Sequence, residues 1–124
     1  QTCALPICGG RDTLTGGAGS DQFRFTTALS ASSNLDTITD FRAIEGDKVV
    51  LDKAIFSVLS AGVSEGNLVI NSTGRAADSN DHLIFNSSTK TLSYDADGSG
   101  SGAAVAFAVL TGVNTLRYDD ILVI

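Results

Sequence analysis

At 124 residues and a net charge of -6, the chain is long enough for one domain with a modest core and too acidic to suit nucleic acid as a partner. Its longest apolar run, residues 103–110, has eight residues, well short of the roughly 18 of a membrane-crossing helix, so no membrane insertion is expected. There is no methionine, and both cysteines and the only proline lie within the first eight residues.

The segment Gln1-Thr2-Cys3-Ala4-Leu5-Pro6-Ile7 resembles a translated short-read sequencing adapter. Residues 1–8 are therefore read as a cloning or sequencing artefact and set apart from fold reasoning; the other reading is a native, slightly degenerate strand. A change of one base in codon 8 turns Cys8 into the glycine that the following repeat lacks. On this reading Cys3 and Cys8 carry no disulfide or metal role. The absence of methionine suits a C-terminal piece of a longer protein.

Residues 9–47 are rich in Gly, Asp, Ser and Thr. Within them Gly16-Gly17-Ala18-Gly19-Ser20-Asp21-Gln22-Phe23-Arg24 is a full copy of the pattern G-G-x-G-x-D-x-U-x, U being a large apolar residue, which is a calcium-binding β-roll unit. Glycines permit positive φ and close approach of backbone carbonyls to an ion, the aspartate supplies charge, and the apolar residue enters a core. A second, imperfect copy precedes it: Gly10, Asp12 and Leu14 stand where Gly19, Asp21 and Phe23 stand nine residues later. Residues 28–34 read as a loop. Asp36-Thr37-Ile38 then repeats the D-x-U spacing as a degenerate third coil, and residues 42–47 form a polar turn around Gly46.

A β-roll ion lies between turns on one edge, so its ligands come from residues about two repeats apart. Asp12 is expected to face the edge carrying Asp36, while Asp21 pairs with a preceding turn or with Asp40 or Asp47. The candidate calcium ligands are Asp12, Gly16, Gly17, Gly19, Asp21, Asp36, Asp40 and Asp47. For Asp36, Asp40 and Asp47 turn capping is the competing role. Clustered carboxylates repel until a cation neutralises them, which couples folding to the ion.

From residue 48 onward ordinary strand patterns replace the repeat. Strands are expected at 48–51, 67–70, 82–86, 91–94, 103–110 and 121–124, with a single helical turn at 54–59 and a hairpin over 83–94 whose turn is Asn86-Ser87-Ser88-Thr89-Lys90. Asp95-Ala96-Asp97-Gly98 opens an acidic loop. It is a weaker ion candidate through Asp95 and Asp97, because an EF-hand needs a third acid where Ser99 stands and a glutamate where Ala106 stands. No catalysis is expected: His82 is the only histidine and reads as a strand-surface residue, and no zinc or nucleophile motif is present.

These residues resemble the C-terminal end of a repeats-in-toxin (RTX) protein exported by bacterial type I secretion. The match at 16–25, with Asp36-Thr37-Ile38-Thr39-Asp40-Phe41 and Glu45-Gly46-Asp47-Lys48-Val49-Val50-Leu51-Asp52, is similar to the closing β-roll of serralysin-like C-terminal domains. Tyr94-Asp95-Ala96-Asp97-Gly98-Ser99-Gly100 and Phe107-Ala108-Val109-Leu110 resemble the terminal strands of such proteins. Asp120, Ile121, Leu122, Val123 and Ile124 resemble the extreme C-terminal export signal, with a last core strand as the plainer reading. The resemblance implies an all-β fold, the end of a parallel β-roll at 9–47 followed by a small β-sandwich-like secretion domain at 48–124. It implies Ca²⁺ as ligand, a type I secretion transporter complex as partner, and a noncatalytic, extracellular protein exported without a cleaved N-terminal signal. The chain departs from the family in having fewer than three repeats. Rival readings are a structural or adhesive module of a secreted adhesin, and the noncatalytic tail of a secreted metalloprotease or other hydrolase.

Overall fold

The computed structural model describes residues 11–25, 35–98 and 104–124, together with the backbone of residues 2–7. The predicted loop at 28–34, Gly9 and Gly10 of the first repeat, and Ser99 and Gly100 of the acidic loop lie outside the described residues. The fold is β-rich. Its strands are β1 (Thr2–Ile7), β2 (Thr13–Leu14), β3 (Ser20–Phe25), β4 (Asp36–Ile38), β5 (Lys48–Leu51), β6 (Leu68–Asn71), β7 (Leu83–Asn86), β8 (Thr91–Tyr94), β9 (Val105–Leu110) and β10 (Ile121–Val123). The helical segments among the described residues are single 3-10 turns, at Ala43–Glu45, Ser57–Leu59, Glu65–Asn67 and Tyr118–Asp120.

Two sheets result, in the orders β1-β3-β5-β10 and β2-β4-β9-β8-β7-β6. Strands β1 to β5 alternate between them, and the first three pair in parallel with the strand two places on: β1 with β3, β2 with β4, β3 with β5. Glycine turns make this possible. Gly17 and Gly19 adopt φ of 85° and 93°, a region that costs a side-chain-bearing residue energy. The sequence period of two then sends Asp21, Phe23 and Phe25 inward while Gln22 and Arg24 are half-buried on the other face.

The second half completes both sheets. β10 joins the first sheet in parallel with β5, placing Ile121 beside Val49. β9 joins β4 in parallel, with Ala108 opposite Asp36 and Leu110 opposite Ile38. The predicted hairpin is present as antiparallel β7 and β8, closed by a turn in which Lys90 takes φ 61°. β6 pairs in parallel with β7, a crossover the local pattern does not signal. The expected helical turn is a 3-10 turn that buries Leu59, with Phe56 buried just before it.

One core lies between the sheets. Phe25 meets Phe107 edge-on at 5.0 Å, and Phe56 meets both Phe107 at 5.1 Å and Tyr94 at 4.9 Å. Phe23, Val49 and Ile121 from one sheet and Ile38, Phe85, Leu92 and Leu110 from the other belong to the same buried cluster. The core thus crosses residue 47, and strands β2 to β4 are stabilised by apolar area contributed from residues 48–124.

Candidate functional site

The glycine turns stack into two columns of aspartates. On one edge the Asp12 amide donates to Asp36 Oδ1 at 2.8 Å, and the backbone continues in register through Thr37 N to Asp12 O and Thr39 N to Leu14 O. On the other the Asp21 amide donates to Asp47 Oδ1 at 2.8 Å, while Asp47 Oδ2 accepts the Arg42 amide at 2.8 Å. Asp40 spans the glycine pair, accepting the Gly16 amide at 2.8 Å and the Gly17 amide at 2.7 Å. The structure therefore brings Asp12 to Asp36, Asp21 to Asp47, and Gly16 and Gly17 to Asp40. Asp36, Asp40 and Asp47 all accept backbone amides, the capping role of aspartate in turns.

Asp21 stands apart. Its side chain is fully buried, yet neither carboxylate oxygen has a hydrogen-bond partner. The carboxylate lies against the Cα of Gly16 so closely that a β-carbon there would collide with Asp21 Oδ2. Gly16 is thus required by close approach, not by its backbone angle. The one other unpartnered buried side-chain atom among the described residues, Arg24 Nε, stands three residues on and so leaves from the opposite face of β3. A buried, unsatisfied carboxylate costs several kcal/mol unless a proton or a cation neutralises it.

Burial raises the neighbouring acids. The Asp47 carboxyl is pushed above its ordinary value first by burial, against the lowering by the Arg42 and Asp21 amides and with further raising by the charges of Asp21 and Asp40. Asp36 is raised by burial and by the charge of Asp12, opposed by the Asp12 amide and by Arg11. No three His, Cys, Asp or Glu side chains among the described residues converge as a metal cage. A cation here would need backbone carbonyls to complete an oxygen shell, and glycine turns supply them without steric obstruction.

Sequence reasoning missed several participants. Glu45 accepts the Gly19 amide through Oε1 at 3.3 Å and the Ser20 hydroxyl through its carbonyl at 2.6 Å. Thr15 and Thr39 pair through their hydroxyls at 2.6 Å. The missing signal is Asp47-Lys48-Val49, which repeats D-x-U with Val49 opposite Phe23. Aligned on it, Glu45 takes the place of Gly19.

The weaker candidates lie elsewhere, in the turn after β8. Asp95 is buried and its Oδ1 accepts the Asp97 amide at 3.3 Å; burial, and then its hydrogen bond with the Asp97 side chain, raise its carboxyl. His82 is half-buried and stands just before β7, and its Nδ1 lies 2.9 Å from the Asp95 carbonyl. At the C-terminus Asp120 is buried and caps the Arg117 amide at 2.9 Å, Ile121 enters the core, Val123 packs against it, and Leu122 and Ile124 are exposed.

No protein-family model, curated protein or solved structure matches this chain.

Proposed function

We propose that the chain is a noncatalytic, calcium-binding and export-targeting C-terminal module of an extracellular protein of the repeats-in-toxin kind. In this reading strands β2 to β4, within residues 9–47, are the end of a β-roll, and residues 48–124, from β5 onward, are the secretion domain that caps it. The observation that carries it is Asp21, a fully buried carboxylate with both oxygens unpartnered, held against Gly16 inside a full nine-residue repeat. Asp21 would ligate directly, the carbonyls of the Gly16–Gly19 turn would complete the shell, and Asp47 would stabilise the site from the adjacent coil. Calcium, when bound, supplies the charge that relieves the repulsion among Asp21, Asp40 and Asp47.

The residues then act as a folding switch. Where calcium is scarce the acidic coils repel and stay open, so the chain can be threaded by a type I transporter complex that reads residues 120–124. Outside the cell, sites of roughly 10⁻⁴ to 10⁻³ M affinity fill and the fold closes. The test is calorimetric titration of the whole chain with calcium and, as control, magnesium. Calcium-specific heat that is lost in Asp21→Ala and kept in Asp97→Ala supports the reading; equal loss in both, or no heat at all, removes it.

A further inference from the structure

We propose that the chain carries a small-ligand site in a cleft between β6 and the turn before β10, and that its ligand is a neutral saccharide. The cleft is an open cavity of about 440 Å³ lined by Glu65, Leu68, Ile70, Leu116, Arg117 and Tyr118. That volume lies within the roughly 300–1,000 Å³ of small-ligand sites and accommodates a mono- or disaccharide. None of the lining residues belongs to the glycine turns, so the proposal does not rest on the calcium reading.

The cleft exists because the two sheets differ in width. One has six strands and the other four; the smaller ends at β10 while the larger runs on to β6. Side chains paired in register stand on one face, so the row of Leu83 and Phe85 on β7 continues as Leu68 and Ile70 on β6. Leu83 and Phe85 are fully buried, Leu68 packs against the core from its edge, and Ile70 is 39% exposed. Cover for the row therefore gives out between β7 and β6. The rest of the lining comes from the chain that turns into β10: Leu116 is buried, and Arg117 and Tyr118 are exposed.

Both contributing turns are fixed before any ligand arrives, which lowers the cost of binding. The turn carrying Glu65 is closed by Asn67 Oδ1, which accepts the Ser64 amide at 3.0 Å and the Ser64 hydroxyl at 2.8 Å, and Asn67 Nδ2 donates to the Asn80 carbonyl at 3.1 Å. The turn carrying Tyr118 is closed by Asp120, which accepts the Arg117 amide at 2.9 Å. Arg117 Nε lies 3.3 Å from Asp119 Oδ1, which leaves the terminal guanidinium nitrogens as its remaining donors.

This lining selects by charge and by polarity. Glu65 and Asp119 outnumber Arg117 there, and the chain carries a net charge of -6, so a phosphate or carboxylate ligand is opposed, while the exposed Arg117 guanidinium opposes a cation. A wholly apolar ligand is opposed too, because it would strip water from Glu65 and Arg117 without replacing the lost hydrogen bonds. A pyranose meets each condition. Its hydroxyls pair with the carboxylate and the guanidinium through charge-assisted bonds, and its C–H face covers Tyr118, Leu68 and Ile70.

The test is amide chemical-shift titration of the isotope-labelled whole chain, in calcium, with maltose, cellobiose and lactose. Glucose 6-phosphate and a blocked, uncharged strand-forming peptide are the controls. Saturable shifts confined to residues 65–70 and 116–118 are expected with at least one disaccharide, with affinity weakened about tenfold or more in Tyr118→Ala and in Glu65→Gln. Both side chains are exposed, so the variants should keep the spectrum of the rest of the chain; if Tyr118→Ala unfolds, Glu65→Gln decides alone. No shift with any disaccharide at about 10 mM, shifts outside the cleft, or tighter binding of the phosphate or the peptide overturns the proposal.

Discussion

Asp47 Oδ1 accepts the backbone N–H of Asp21 at 2.8 Å across 26 residues of chain. The bond joins the start of β3 to the residue before β5 in one sheet, and Asp36 of β4 accepts the Asp12 amide in the same way beside the other. Each later aspartate thus caps the segment before it. Asp21 is the member whose own carboxylate is left without a partner, and under the proposed calcium reading it is the carboxylate that would take the ion.

Gly16→Ala puts a methyl group into the Asp21 carboxylate. We expect a loss of about 1–3 kcal/mol in urea unfolding and at least a tenfold weakening of calcium binding, because the carboxylate must move out of its cradle. Gly62→Ala offers a contrast, since its added β-carbon meets nothing and only its φ of 103° is strained. Its calcium affinity should be unchanged.

The pH dependence has a definite sign. Asp36, Asp47 and Asp95 hold their protons more tightly in the folded than in the unfolded chain, each mainly through burial. Between the ordinary value of 3.8 and the raised folded values, the folded state binds more protons, so stability falls as pH rises. Whatever fold persists in chelator should therefore lose melting temperature as pH rises from the ordinary carboxylate value through the raised folded values. With calcium bound the trend should flatten, because the cation takes over the neutralising role; a chelator curve that rises toward neutral pH counts against the burial argument.

Phe107 is the hinge of the inter-sheet core, touching Phe25 and Phe56. Phe107→Ala should cost about 3–5 kcal/mol, enough to unfold a marginal domain. Circular dichroism of both halves would check that the core is shared: loss of the whole β signal, not of one part, is expected.

Leu122 and Ile124 are exposed, so Leu122→Ser with Ile124→Ser removes the hydrophobic tail and leaves the core intact. Export of a fused passenger by a type I transporter should drop about tenfold or more, with an unchanged melting temperature. Undiminished secretion would mean that these residues are only an edge strand.

Local signals in the sequence were readable and long-range ones were not. The hairpin of β7 and β8 was legible because both strands and the turn between them are contiguous, and the 48–51 and 91–94 strands fall on their predicted bounds. The crossover of β6 onto β7 and the return of β10 to β5, 72 residues later, leave no local mark, since parallel pairing depends on the shared core. At the site, spacing identified the acids but not their tasks. Asp40 caps glycine amides and Asp21 caps nothing, a difference set by one coil's offset, and Glu45 disguised the Asp47 unit by occupying a glycine position.

The most direct measurement is a calcium titration of the whole chain followed by far-ultraviolet circular dichroism, with magnesium as control. The account predicts a cooperative gain of β signal specific to calcium and absent in Asp21→Ala. A chain equally folded in chelator, with no spectral change on adding calcium, would contradict it.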